Sequence, residues 1–105
     1  MPRRHEAYVE DILLAIERIE SYTEKLDFEE FRKDEKSVDA VLFNLENIGE
    51  AAKNLPEDFK EETDIEWSDI AGFRDFIVHQ YFRADPEIIW DIIENEIPKL
   101  KEELN

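Results

Sequence analysis

A chain of 105 residues with 42% hydrophobic content and only two glycines fits one compact helical domain spanning residues 1–105, not a disordered or turn-rich chain. The absence of cysteine excludes a disulfide framework and a cysteine-ligated zinc site. A formal charge of −16, from 29 acids against 13 bases, excludes the broad basic footprint of a general nucleic-acid binder.

The first helix is expected from about Arg4 to Glu24. Val9, Ile12, Leu13, Ile16 and Ile19 recur at three- and four-residue steps, as one buried stripe requires. The same segment carries acids inside its apolar pattern, unlike a signal peptide. No apolar run in the chain approaches the ~18 residues of a membrane span. A soluble cytoplasmic protein is therefore expected. "DFEEFRKDEKS" reads as a short helical turn and a polar connection. A second long helix is expected from about Glu35 to Leu55, with Val38, Val41, Leu42, Leu45, Ile48 and Ala52 inward and Pro56 ending it. Its small residues Gly49, Ala51 and Ala52 suit close packing against another helix.

"LPEDFKEETDIEW" reads as a polar connector with one helical turn. A third long helix begins near Trp67 or Ser68, with Ser68 or Asp69 as candidate caps. Ile70, Phe73, Ile77 and Gln80 form its stripe, and Phe76 and Val78 widen the apolar surface. A helix apolar on two sides is buried on two sides, either inside the domain or by a second subunit. In the last segment Asp85 is a good N-cap, Pro86 a good first residue, and Ile88, Ile89, Ile92, Ile93 and Ile97 the apolar face. Pro98 should kink or break that helix. The expectation is all-α: an up-and-down bundle of four to five helices, with dimerisation a natural supplement to a small core.

The third helix contains "RDFIVHQYF", with Arg74, His79 and Tyr81 set among bulky apolar residues. From Ala71 to Ala84 the charges are Arg74, Asp75 and Arg83, a net +1, so the remainder carries −17. At about 100° per residue, Arg74 and His79 lie about 140° apart, whereas Asp75 and His79 are neighbours one turn apart. Asp75 is thus placed to orient His79, and Arg74 to meet a histidine from a second copy. Histidine moves protons near neutrality, and arginine forks onto a phosphoryl group. Together they suit RNA cleavage by the neighbouring 2′-hydroxyl, without metal or cofactor. On chemistry alone, the competing reading is a polar helix end with His79 bonded to Asp75. Of the other chemistry-bearing residues, His5 suits solvent, Trp67 and Trp90 suit core or interface, and Glu50 suits solvent or a dimer rim.

"NIGEAAKNL", "EWSDIAGFRDFIVHQYF" and "DPEIIWDIIENEIPKLKEEL" together resemble the HepT-like toxins of the HEPN superfamily over nearly the whole chain. The hallmark Arg-x4-His-x-Tyr is intact. The resemblance implies a HEPN-like two-fold homodimer, encoded with a minimal nucleotidyltransferase antitoxin, whose RNA substrate is cut at a dimer-interface cleft. It assigns catalysis to Arg74 and His79. It makes Tyr81 the acceptor of AMP from the antitoxin, which silences the toxin. Asp75 and Arg83 are supporting residues; Asp75 departs from the asparagine common at its position. The alternative is a non-catalytic helical dimer that the nucleotidyltransferase binds or modifies.

Overall fold

The computed structural model describes residues 4–80 and 85–105, apart from the side chains of Val78 and Gln80. Its helices are α1 (His5–Thr23), α2 (Phe28–Lys33), α3 (Glu35–Lys53), α4 (Glu57–Glu61), α5 (Trp67–Gln80), α6 (Pro86–Asp91) and α7 (Ile97–Leu104). A π turn (Ile92–Glu96) joins α6 to α7. The three long helices form a layer with α3 in the middle, packed on α1 along one flank and α5 along the other. The α6–α7 rod packs against it, with α7 on α1 and α6 on α2.

Periodicity predicts the inner faces of α1 and α3 well. Ile12, Ile16, Ile19, Val41, Leu42, Leu45, Ile48 and Ala52 are buried, while Val9, Leu13 and Val38 are half-buried at the margins. On α5, Ile70, Phe73 and Ile77 join this core and Phe76 is half-buried. Gln80 and Val78, expected to extend that face, have side chains outside those described. Burying one such aliphatic side chain stabilises by about 1.5–3 kcal/mol. The core therefore fixes the relative positions of the three helices that bear the candidate site.

The connectors are more ordered than their polarity suggests. In α2, Asp27 and Glu30 form a reciprocal capping box: Glu30 N–H donates to Asp27 Oδ1 at 2.8 Å and Asp27 N–H donates to Glu30 Oε1 at 3.1 Å. The box orients Phe31, which is fully buried with its ring 5.2 Å from Trp90. Trp67 starts α5 as a buried anchor, its Nε1–H donating to Thr63 Oγ1 at 2.7 Å. Because α5 begins at Trp67, Ser68 and Asp69 lie in its first turn and do not cap it.

Asp34 caps α3, with Oδ2 accepting from Ser37 Oγ at 2.8 Å and Oδ1 from Ser37 N–H at 3.4 Å. The Ser37 hydroxyl is the main cause that holds the Asp34 carboxyl below its ordinary value of 3.8; partial burial opposes it, and nearby backbone N–H groups and Lys36 assist. A depressed carboxylate contributes stability that is present above its unfolded value and lost as pH falls through the folded one. Asp34→Asn should therefore flatten the part of the acid-unfolding curve below pH 3.8, read from urea midpoints across that range.

In the last segment the α-helix is interrupted just before Pro98. Asp85 caps α6 as predicted, accepting from Glu87 N–H at 2.9 Å, with Pro86 in the first turn. Yet Pro98 does not break the rod. The π turn lies just before it, and the Ile97 N–H reaches Ile92 O, five residues back. A widened turn relieves the clash between a mid-helix proline ring and the carbonyl four residues earlier. It also rephases the rod: Ile89, Ile97 and Leu100 are buried, whereas Ile88, expected inward, is 46% exposed.

Candidate active-site face

The site is built on the contact between α3 and α5. Gly49 sits where these helices approach tightly. A Cβ there would lie 2.8 Å from Arg74 N, 3.1 Å from Arg74 Cβ and 3.4 Å from Ala71 O. Only a residue without a side chain permits this separation. The next residue, Glu50, is thereby brought alongside Arg74, and its Oε2 takes the Arg74 Nε–H at 2.9 Å. The Arg74 side chain is 40% exposed and that of Glu50 54% exposed, so the pair sits open at the surface.

This pairing shapes what Arg74 can do. A guanidinium has five N–H donors, and Glu50 engages the one on Nε. The remaining four stay available to fork onto a phosphate, with the plane of the group fixed by Glu50. Glu50 is thus more than a solvated rim residue. Its sequence signal was the glycine before it; its partner, 24 positions away, could not be read from spacing.

His79 is exposed on the same helix. Five helical residues separate it from Arg74, about 7.5 Å along the axis and about 140° around it. Asp75 is also exposed, and no hydrogen bond or ion pair joins it to His79. One chain therefore brings Arg74 to Glu50, but it does not bring Arg74 to His79 or His79 to Asp75. Tyr81 and Arg83 lie outside the described residues. Among the described residues no group of three or more histidine and carboxylate side chains is arranged to hold a metal ion. His5, expected in solvent, is half-buried with its ring 5.0 Å from that of Phe59.

Beside the Glu50–Arg74 pair runs a groove of about 380 Å³ between α1 and α3, lined by Tyr8, Leu14, Arg18, Asn44, Asn47 and Glu50 among others. Asn44 is buried in its floor: Nδ2–H donates to Ala40 O at 2.8 Å, and Oδ1 has no partner among the described residues. Glu50 belongs to both features, so the groove and Arg74 share one open face of the helical layer.

The family model described as "Ribonuclease HepT-like" matches residues 12–105. The chain belongs to the HepT-like family. A relative from Thermococcus cleftensis named "Probable ribonuclease HepT" is 45% identical over 102 residues, covering 96% of this chain and 93% of its own. "Putative RNase MJ0127" of Methanocaldococcus jannaschii is 44% identical over 100 residues, covering 93% and 83%. "Putative RNase TTE0752" of Caldanaerobacter subterraneus subsp. tengcongensis is 41% identical over 98 residues, covering 92% and 88%. No solved structure gives a significant match. The all-helical bundle agrees with what the HepT-like resemblance implies for the fold. Among the described residues, no helix is long and apolar enough to cross a membrane.

Proposed function

We propose that this HepT-like chain is a cytoplasmic toxin: a metal-independent endoribonuclease that works as a homodimer through Arg74 and His79. The observation that carries the reading is the Arg74 guanidinium, held at the surface by Glu50 at 2.9 Å with its other donors available. His79 accepts the proton of a ribose 2′-hydroxyl, whose oxygen attacks the adjacent phosphorus. The phosphorus–O5′ bond breaks, and a protonated imidazole returns a proton to the departing O5′. The products are a 2′,3′-cyclic phosphate and a 5′-hydroxyl. Arg74 stabilises the charge on the phosphorane. The 140° offset between Arg74 and His79 favours an arginine from one protomer acting with a histidine of the other.

Tyr81 is the proposed switch. A cognate nucleotidyltransferase antitoxin directs the Tyr81 phenolic oxygen onto the α-phosphorus of ATP; pyrophosphate leaves and the phenolic proton is lost. The AMP group adds bulk and negative charge two residues from His79, where RNA phosphate must come. Arg83 supports phosphate binding in this reading, and Asp75 modulates His79.

A second reading is favoured by Glu50, which already matches the Arg74 charge, and by the −16 net charge, which opposes RNA at long range. In it the chain is a non-catalytic dimer that docks to the nucleotidyltransferase and is modified by it. Two assays separate the readings. Purified unmodified protein with chelator should cleave RNA, leaving cyclic-phosphate ends; the second reading expects none. Incubation with the nucleotidyltransferase and ATP should add AMP mass to wild type and not to Tyr81→Phe. An adduct that persists on Tyr81→Phe would remove Tyr81 as the acceptor.

A further inference from the structure

The α1–α3 groove has a feature that the cleavage chemistry above does not use. Asn44 lies in its floor, 3% exposed, and Oδ1 is closed to solvent with no donor among the described residues. The amide cannot turn over to cure this. Its Nδ2–H is tied to the Ala40 carbonyl at 2.8 Å, and a flipped amide would set oxygen against oxygen. Buried polar groups are nearly always hydrogen-bonded, so an unmet acceptor beside a cavity points to a donor that arrives with a ligand. The cavity itself comes from small side chains. Ala15 of α1 and Ala51 of α3 line it, both buried, and leave open the space that larger residues would fill. Its volume of about 380 Å³ falls within the range of small-molecule sites, about 300–1,000 Å³.

The chemistry of the lining identifies the ligand. Asn44, Asn47 and Asn54 are neutral amides, the side chains that match the donors and acceptors of a base edge. The acids Asp11 and Glu50 are balanced by Arg18 and Arg74. Arg18 is exposed and has no carboxylate partner among the described residues, so its fork is open to a phosphate. The more apolar groove around His5 and Phe59 has no lysine or arginine in its lining. It is rimmed by Glu6, Glu10, Glu62 and Glu103, which repel a phosphate chain. Position adds to chemistry. Glu50 both lines the α1–α3 groove and holds Arg74, so an RNA with one phosphate at Arg74 can lay a neighbouring nucleotide in the groove. Single-stranded RNA is read in this way, by splayed bases whose edges meet side chains.

We propose that the α1–α3 groove is a base-selective subsite for a nucleotide flanking the cut, and that it takes adenine or cytosine. The exocyclic amine of either base, N6 or N4, donates to Asn44 Oδ1. Guanine and uracil carry a carbonyl oxygen at the matching place, which an acceptor repels. Asn47, one turn along α3, contacts the same base edge, and Arg18 holds the phosphate of that nucleotide. Entry to the floor opens by rotamer changes at the exposed rim residues Leu14 and Arg18, which take picoseconds to nanoseconds. The assignment rests on the ribonuclease reading above and names the RNA sites that the enzyme selects.

The test gives wild type, Asn44→Leu, Asn47→Ala and Arg18→Ala one random-sequence RNA pool and sequences the cyclic-phosphate ends. Wild type should favour A and C over G and U about tenfold or more at one fixed position beside the cut. Asn44→Leu, close in size but without the acceptor, should level that preference, and Asn47→Ala should reduce it. Arg18→Ala should slow cleavage about threefold to tenfold at all four bases alike, as loss of a phosphate contact does. Circular dichroism checks the fold of Asn44→Leu, the one buried position; Asn47 and Arg18 are exposed. A second measurement needs no cleavage: binding of 2′-O-methyl tetramers of A, C or U, read by fluorescence anisotropy. Wild type should bind the A and C tetramers about tenfold more tightly than the U tetramer. Cleavage with no preference between amino and keto bases overturns the subsite and leaves the ribonuclease reading standing. Selective tetramer binding with no cleavage of the pool supports the base site and removes the ribonuclease reading. A preference that survives intact in a folded Asn44→Leu overturns the assignment to Asn44.

Discussion

Gly49→Val should lower the stability of the folded chain by about 3 kcal/mol, read from urea unfolding. The added Cβ would begin 2.8 Å from the backbone nitrogen of Arg74, an atom that cannot turn aside as a side-chain end can. α3 and α5 must separate, which opens the core at Phe73 and Ile77 and leaves a poorly filled seam. Even Gly49→Ala should be destabilising, by about 1 kcal/mol: the ~1 kcal/mol that alanine gains over glycine in a helix is outweighed by the 1–3 kcal/mol of overpacking. Gly72 supplies the control within α5. Nothing lies within 4 Å of a Cβ at that position, so Gly72→Ala should raise stability by about 0.5–1 kcal/mol. Equal effects at the two glycines would mean that the close approach at Gly49 is not a constraint on the fold.

Arg74→Ala and His79→Ala should each reduce RNA cleavage by about 10²–10⁴-fold while leaving the urea midpoint nearly unchanged. The second half follows from exposure. The Arg74–Glu50 pair is open to solvent, and such pairs contribute only about 0–1 kcal/mol. Glu50→Gln should have a smaller effect, about tenfold, because Arg74 remains but its guanidinium is held by a weaker hydrogen bond. Mixing the two inactive proteins distinguishes how the site is assembled. If Arg74 acts with the partner's His79, a heterodimer of Arg74→Ala and His79→Ala retains one complete arginine–histidine pair. A freely exchanged equal mixture should then recover about a quarter of wild-type activity. If both residues act within one chain, the mixture stays inactive. Unchanged cleavage in both single variants would remove the catalytic assignment.

The layer of long helices was legible in the sequence because α1 and α3 each bury a single stripe, and a single stripe repeats at 3.6 residues. Where burial depends on a partner far along the chain, the pattern carries little. Phe31 sits among charged residues and is nevertheless buried, because a capping box turns it onto Trp90. Ile88 fits the apolar period of the last helix but is exposed, since the π turn shifts the phase on which the period depends. At the candidate site, the angular offset of Arg74 and His79 followed from their spacing alone. The Glu50 contact did not, because it arises from the α3–α5 crossing and no local repeat encodes a crossing. The expected Asp75–His79 neighbourhood has the right spacing but no bond, for adjacency on an exposed helix face does not hold two side chains together.

The open Glu50–Arg74 pair has a consequence for how RNA binding would respond to ionic strength. Proteins that grip nucleic acid through many cations release many condensed counterions and lose affinity steeply as salt rises. In the proposed dimer each protomer would offer the phosphate few cations, foremost Arg74, already shared with a carboxylate. For single-stranded RNA the logarithmic slope would be about −0.7 per phosphate engaged, or about −1.4 from the two Arg74 side chains of a dimer. Added salt would at the same time screen the repulsion from the −16 charge. Binding should therefore vary little across the physiological range, and the choice of RNA would fall to the shape of the cleft and not to electrostatic capture.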